Sequence, residues 1–161
     1  MLMTRKPFLE LTAADVMSCS LVTIPQGMSL RAAARLLSDE DITGAPVVDE
    51  EGRCTGILSA TDFLRWAGAG ARAAVTFDPD AVCTTDWAVV DVEVLPLDEV
   101  RAYMTCDVVT ATPADSLHKL ARMMIDAHIH RVVITDEEQR PIGIVSSTDI
   151  IASVACATAE E

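Results

Sequence analysis

The hydrophobic pattern of this chain occurs twice. Residues 15–64 and 102–151 align without a gap at an offset of 87 positions, and 19 of the aligned positions are identical. Each stretch begins with a short apolar run that predicts a strand, Leu21–Ile24 in the first and Val108–Ala111 in the second. An ungapped match of this density indicates two copies of one structural unit.

A helix is predicted after each of these strands. Ser29 and Ser116 occupy the position of a helix N-cap, because a serine hydroxyl accepts a hydrogen bond from a backbone N–H of the first turn. Apolar residues then recur every three or four positions and share one face of the helix. That face comprises Leu30, Ala33, Ala34 and Leu37 in the first copy and Leu117, Leu120, Ala121 and Met124 in the second.

Two further apolar runs, separated by a polar turn, complete each sheet before a second helix begins. The runs are Ala45–Val48 and Thr55–Leu58 in the first copy, with the turn Asp49–Arg53, and Val132–Ile134 and Ile142–Val145 in the second, with the turn Asp136–Arg140. We interpret Thr61 and Thr148 as N-caps of the second helices. Each copy is therefore a β-α-β-β-α unit of the α/β (α+β) class. Because one such unit is marginal in size, we expect the two to pack sheet to sheet with pseudo-two-fold symmetry.

An acidic insert, residues 67–99, separates the copies. Its first part, AGAGARAA at residues 67–74, predicts a helix end or a flexible link. Val90, Val92 and Val94 alternate with acidic residues, which predicts a strand with one solvated face. The insert is expected to cover an edge of the module or to take part in an interface.

Charge and cysteine content narrow the class of protein. The net charge of −13 and the pI of about 4.4 disfavour nucleic acid and anionic membrane surfaces as partners, because both would be repelled. The five cysteines form no C-x-x-C pair, and we interpret them as small buried residues of a reduced, cytoplasmic protein. The N-terminal residues lack the long apolar core of a signal peptide, and no apolar run is long enough to span a bilayer.

The most informative duplication is the phrase that closes each sheet, GILSATD at residues 56–62 and GIVSSTD at residues 143–149. A β-α-β-β-α unit ending in this phrase resembles the cystathionine-β-synthase (CBS) domain, and two in tandem resemble a CBS pair, or Bateman module. The resemblance places repeat one at residues 12–66 and repeat two at residues 100–156. It does not account for the insert 67–99.

The resemblance implies a regulatory function and no catalysis. Many CBS pairs bind AMP, ADP, ATP or another adenosyl compound in clefts between the repeats, and some have no known ligand. We therefore expect such a regulatory ligand and no obligatory cofactor. We expect a homodimer that binds an adenosine-containing small molecule and signals to a regulated protein in another chain. The alternative is an unliganded interaction scaffold with vestigial clefts.

The same resemblance implies a set of ligand-binding residues in the first strand, at the start of the second strand and in the closing phrase. By position they are Thr23, Ile24, Ala45, Pro46, Ser59, Thr61 and Asp62 in repeat one, and Thr110, Ala111, His130, Arg131, Val132, Ser146, Thr148 and Asp149 in repeat two.

Several of these residues have both a structural and a functional interpretation. Asp62 and Asp149 lie near a helix start, where a carboxylate favours the helix dipole, but they could also accept hydrogen bonds from ribose hydroxyls. The hydroxyls of Ser59 and Ser146, with the free N–H groups of the helix start, would make a small phosphate site. Glycine inside a strand, as at positions 56 and 143, indicates a bulge or a close approach by backbone or ligand.

His130 and Arg131 distinguish the repeats, because repeat one has Thr43 and Gly44 at these positions. Arginine presents a planar fork suited to phosphate, although it could instead pair with a nearby acid. His128 and His130 alternate and could face one way, but no further ligand has a spacing that predicts a zinc site. No arrangement of nucleophile, base or paired carboxylates predicts catalysis.

Overall fold

The structure of the protein is a computed structural model that describes residues 6–68 and 92–158. It contains two compact units. The repeat-one unit comprises residues 22–68 and 92–108, and the repeat-two unit comprises residues 6–21 and 109–158. Each unit therefore includes the opening segment of the other repeat, residues 12–21 or 100–108. Most of the predicted link and insert, from residue 69 to residue 91, lies outside the described residues.

Both repeats have the predicted order of elements, and the α/β (α+β) class with two β-α-β-β-α repeats is confirmed. The helices are α1 (Ala13–Val16), α2 (Leu30–Asp39), α3 (Ala60–Gly68), α4 (Leu117–Ala127) and α5 (Ser147–Thr158). The strands are β1 (Ile24–Pro25), β2 (Gly44–Val48), β3 (Cys54–Ser59), β4 (Thr110–Ala111), β5 (Arg131–Thr135) and β6 (Pro141–Ser146). Short 3₁₀ helices occur at Phe8–Glu10, Val92–Val94 and Val100–Ala102.

Each unit contains one three-stranded mixed sheet. The strand order is β1-β2-β3 in the repeat-one unit and β4-β5-β6 in the repeat-two unit. In both sheets the first pair of strands is parallel and the second pair is antiparallel. The antiparallel register shifts next to the hairpin turn, between Val47 and Val48 and between Ile134 and Thr135. Such a shift marks a β-bulge, which twists the strand locally.

The hairpin turns are built around two aspartates, as the sequence predicts. Asp136 Oδ1 accepts hydrogen bonds from the backbone N–H groups of Glu138 (3.0 Å) and Arg140 (2.8 Å). Its Oδ2 accepts from Arg140 Nε at 2.9 Å. The backbone and side-chain bonds from Arg140 outweigh desolvation and hold the pKa of Asp136 below its usual value. Asp49 accepts the equivalent three bonds in the repeat-one unit.

The predicted N-caps and apolar faces of α2 and α4 are confirmed. Ser29 Oγ accepts from the N–H of Ala32, and Ser116 Oγ accepts from the N–H of Lys119, both at 3.2 Å. Every residue of the predicted apolar face is buried except Ala121, which is partly buried against the same core. These helices each cover one face of their own sheet, because their buried residues share a cluster with the strand residues.

The opening segment of each repeat joins the sheet of the other repeat, within one unit. Ser18 and Ile144 exchange backbone hydrogen bonds at 3.0 and 3.2 Å beside β6, and Thr105 and Ile57 exchange two at 2.9 Å beside β3. The same segments carry Met17 and Met104, whose side chains occupy the space over Gly143 and Gly56. The two glycines therefore admit a close approach by the protein's own chain, and the bulges lie directly beside them.

Three predictions about local structure are wrong. Val92–Val94 is a 3₁₀ helix and not a strand, because Leu95 behind it is buried in the core and Arg31 binds the Leu95 carbonyl at 2.9 Å. The first strands are shorter than predicted, since only two residues pair with β2 or β5 in each sheet. The helices after the closing phrases begin at Ala60 and Ser147, so threonine is not their cap.

Candidate functional site

Several predicted residues of repeat two meet at one end of its sheet. Arg131 opens β5 and pairs in register with Ser146, the last residue of β6. The N–H of Ser147 donates to the carbonyl oxygen of His130 at 2.9 Å, which fixes the start of α5 against the start of β5. The side chains of His130 and Arg131 are exposed. Strand pairing therefore brings hydroxyl and basic groups to the same end of the sheet.

Ser146 and Asp149 form a reciprocal cap at the start of α5. Asp149 Oδ2 accepts from the backbone N–H and the hydroxyl of Ser146, both at 2.7 Å. The N–H of Asp149 donates in turn to Ser146 Oγ at 3.2 Å. This arrangement is a capping box, in which two otherwise unpaired N–H groups are satisfied by side chains. The serine, and not Thr148, is thus the N-cap.

The equivalent carboxylate of repeat one makes more contacts. Asp62 Oδ2 accepts from the N–H (2.8 Å) and hydroxyl (3.0 Å) of Ser59. Its Oδ1 accepts from Arg65 Nη1 at 2.9 Å and from Thr105 Oγ1 at 3.0 Å. The side chain of Asp62 is only 1% exposed. Sequence reasoning missed both Oδ1 donors. The helical spacing of Asp62 and Arg65 was a usable signal, whereas Thr105 had none.

The apolar members of the predicted site belong to the cores of their units. Ile24 and Val132 are fully buried, and Ala45 and Ala111 are nearly so. Their side chains can therefore contribute to a ligand site only by shaping the backbone around it. Pro46 is also buried. Thr23 and Thr110 are partly exposed, and Thr61 and Thr148 are exposed in the first turns of α3 and α5.

A groove of about 700 Å³ lies in the repeat-two unit between the N-terminal segment and α5. Asp149, Ala152 and Cys156 line its α5 side, and Lys6 and Asp15 are among the residues of the opposite wall. Lys6 Nζ donates to Asp15 Oδ1 at 2.8 Å. This bond, together with those from Thr12, lowers the pKa of Asp15 to about 2. The groove thus holds two carboxylates and one ammonium group.

A second, mainly apolar groove of about 550 Å³ is lined by residues of α4, α5 and the turn after α4. Ile125 and Ile151 stand on its rim and are 68% and 66% exposed. His128 and His130 also line this groove. Ile150 also lines the groove but is only 9% exposed, because it packs into the core beneath it.

The cysteines differ from the prediction of small buried residues. Cys19, Cys106 and Cys156 are exposed, and Cys54 is half-buried, where burial raises the pKa of its thiol. All four are free, and Cys83 lies outside the described residues.

Within residues 6–68 and 92–158, no cluster of three metal-binding side chains occurs. In the same part of the chain, no helix has the length and apolar character needed to cross a bilayer.

Two β-α-β-β-α units, each closed by a serine–aspartate cap, define a tandem-repeat α/β module. The family model of the CBS domain matches residues 13–69 and 100–155, which together make up more than half of the chain. The chain therefore belongs to the CBS domain family.

Several curated relatives contain this module as one part of a longer protein. A homoserine O-acetyltransferase from Methanococcoides burtonii is 30% identical over 139 residues, which cover 86% of this chain and 23% of that enzyme. The chain thus spans about a quarter of the length of such relatives. Their enzyme names describe proteins in which the matched region is a minor part.

Solved structures share the fold over nearly the whole chain. The CBS domain pair of protein MJ0100, in complex with 5′-methylthioadenosine and S-adenosyl-L-methionine, has a TM-score of 0.69 and 24% identity, covering 91% of this chain and 97% of that one. The protein CBSX2, in complex with AMP, has a TM-score of 0.69 and 19% identity, covering 91% and 98%. These likenesses establish the architecture.

Proposed function

We propose that this chain is a regulatory CBS pair that binds an adenosine-containing small molecule and signals to a protein in another chain. Repeat boundaries at residues 12–66 and 100–156 and a reduced, cytoplasmic setting are part of the proposal. Membership of the CBS family and the adenosyl ligands of MJ0100 and CBSX2 support it. AMP, ADP, ATP, S-adenosylmethionine and methylthioadenosine are the ligands to test, and none is an obligatory cofactor.

The observation that carries this proposal is the hydrogen-bonding capacity at the start of α5. Asp149 Oδ1 has no hydrogen bond within the described parts of the chain, although the other oxygen is fixed by Ser146. An ionised carboxylate is an acceptor only, so the free oxygen suits a donor such as a ribose hydroxyl.

Thermal unfolding with each ligand of the panel tests the proposal. A ligand at 100 times its Kd is expected to stabilise by about 2.7 kcal/mol.

Arg131 is the group that we propose for phosphate. Its side chain is exposed, and it forms no ion pair or side-chain hydrogen bond with any residue of ranges 6–68 and 92–158. The alternative interpretation, an arginine paired with a local acid, is therefore not supported. A free guanidinium near a helix start would complement the dipole contribution of that helix to anion binding.

Arg131→Ala is expected to weaken binding of AMP by roughly 10-fold and binding of adenosine by much less, because adenosine has no phosphate. Calorimetric titration of both ligands measures the difference. Arg122→Ala is the matched control, since Arg122 is an exposed arginine on α4 that is 3.8 Å from Asp126. An equal loss for AMP and adenosine would show that Arg131 supports the fold and does not bind phosphate.

We also propose a homodimer, supported by the exposed isoleucines of the apolar groove. Covering Ile125 and Ile151 would remove apolar surface from water, at about 25 cal/mol per Å². The double variant Ile125→Asp/Ile151→Asp is expected to sediment as a monomer at micromolar concentration, whereas the unmodified protein sediments as a dimer. Leu9→Asp, at a residue that is 82% exposed and outside the groove, is the control and should leave the dimer intact. A dimer of unchanged strength in the double variant would place the interface elsewhere.

The second candidate function is an unliganded interaction scaffold. The apolar groove favours it, because a binding surface alone would account for exposed isoleucines. The two functions differ in one measurable respect. A scaffold would dimerise as above but show no stabilisation by any member of the adenosyl panel.

A further inference from the structure

The two aspartates of the duplicated closing phrase differ in how many of their acceptor sites are occupied. A carboxylate offers about four lone-pair sites. Those of Asp62 receive four hydrogen bonds: two from Ser59, one from Arg65 and one from Thr105. Because Asp62 is also buried, a ligand hydroxyl could bond to it only by displacing one of these donors. Each bond gained would be offset by one lost.

Asp149 retains acceptor sites that are accessible. Its Oδ2 receives the two bonds from Ser146, while Oδ1 receives none from the residues that the structure describes. The residue is partly exposed and lines the groove beside α5. A hydroxyl donor could therefore reach Oδ1 without breaking a protein–protein hydrogen bond.

The cause of this difference can be traced to two positions of the sequence. Arg65 corresponds to Ala152 at the offset of 87 residues, and alanine has no donor. Thr105 corresponds to Ser18, whose backbone pairs with Ile144 as Thr105 pairs with Ile57. The Ser18 hydroxyl nevertheless makes no hydrogen bond to Asp149 in the described residues. Repeat one has donors that satisfy its carboxylate internally, and repeat two lacks them.

We propose that the two repeats have diverged in function. Asp149 is the carboxylate that accepts hydrogen bonds from the adenosyl ligand, while Asp62 is a structural group that ties α3 to the segment around Thr105. This inference rests on the proposed adenosyl binding. It assigns that binding to one aspartate, with one ligand per chain.

Ala152→Arg tests the inference by giving repeat two the donor of repeat one. Residue 152 is exposed and lies three positions after Asp149, the same spacing as Asp62 and Arg65. The new guanidinium is expected to occupy Oδ1 and to lower affinity for both AMP and 5′-methylthioadenosine by about tenfold or more. Two probes are needed because an added arginine also attracts phosphate, which methylthioadenosine lacks. Ala152→Met, which adds length but no hydrogen-bond donor, is the control for side-chain bulk and should cause a smaller loss.

Calorimetry of the unmodified protein gives the second readout. One equivalent of AMP or methylthioadenosine per chain is expected. Two equivalents of equal affinity, unchanged affinity in Ala152→Arg, or an equal loss in Ala152→Met would each overturn the divergence while leaving the proposed function in place. Failure of the unmodified protein to bind any of AMP, ADP, ATP, S-adenosylmethionine and methylthioadenosine would overturn the proposed function and this inference with it.

A measurement without ligand tests the structural half of the inference. Asp62→Asn is expected to lower the urea midpoint of unfolding clearly more than Asp149→Asn. The Asp62 carboxylate pairs with Arg65 and accepts a hydrogen bond from Thr105, and Asp149 has neither contact in the described residues. Equal shifts in the two variants would contradict the structural role of Asp62, whatever the ligand data show.

Discussion

Replacing Gly56 with valine is expected to lower the free energy of unfolding by about 3 kcal/mol, because the site has no room for a side chain. A Cβ atom at this position would overlap the sulfur of Met104 and lie 3.0 Å from the carbonyl oxygen of Thr105. That oxygen accepts the hydrogen bond from Ile57 at 2.9 Å, so it cannot move freely. At this chain length the midpoint of thermal unfolding should fall by roughly 6–12 °C.

Gly143 provides a matched comparison for this prediction. A Cβ there would lie 2.6 Å from Met17 Sδ, and its three nearest atoms all belong to the Met17 side chain. Shortening the methionine should therefore offset Gly143→Ala almost completely in a double-mutant cycle with Met17→Ala. The cycle of Gly56→Ala with Met104→Ala should retain part of the penalty from the Thr105 backbone. Complete rescue at both sites would show that the backbone contact does not matter.

Deleting residues 1–21 is expected to unfold repeat two while leaving repeat one folded. The deleted segment contributes Ala13, which is fully buried in the core of the repeat-two unit. It also makes backbone hydrogen bonds, among them Ala13 N–H to Asp115 (2.8 Å) and Ser18 N–H to Ile144 (3.0 Å). Each hydrogen bond contributes about 0.5–1.5 kcal/mol, and the buried apolar area contributes further. The free energy of unfolding should therefore fall by about 5 kcal/mol. That is comparable with the whole stability of many domains.

Hydrogen exchange measured by mass spectrometry would test this expectation. The amides of β5 and β6 should lose protection in the truncated chain, and those of β2 and β3 serve as the internal control. A synthetic peptide of residues 6–21, added in excess, should restore protection to β5 and β6 by supplying the same contacts. Protection of β5 and β6 equal to that in the full chain would refute the role of this segment.

Local signals in the sequence were sufficient for the architecture. Caps such as Ser29 and Ser116 act within four residues, and the turn at Asp136 is satisfied by Arg140 only four positions away. Helical and strand periodicities are equally local, so each repeat could be predicted element by element. The duplicated closing phrase then indicated the family. Where local signals conflicted with packing, as at Val92–Val94, the prediction was wrong because buried contacts of Leu95 outweighed the alternating pattern.

The candidate site was only partly predictable, because only some of its contacts join residues that are close in the sequence. Ser146 and Asp149 lie three positions apart, and their cap follows from helix geometry. The sequence could also show that His130 and Arg131 lack basic counterparts in repeat one. It could not show that Arg131 has no acidic partner in the described residues, since that depends on which strands and turns become neighbours.

The tertiary structure alone decided which sheet the opening segment of each repeat joins. It also decided which aspartate keeps acceptor sites for a ligand. Thr105 lies 43 positions from Asp62, and no periodicity relates residues that far apart. Likewise, the Met17 side chain covers Gly143, which lies far from it in the sequence. The closely matching phrases at residues 56–62 and 143–149 predicted two equivalent carboxylates. Their difference arises from donors elsewhere in the chain, because the hydrogen bonds that occupy a carboxylate depend on its neighbours in space.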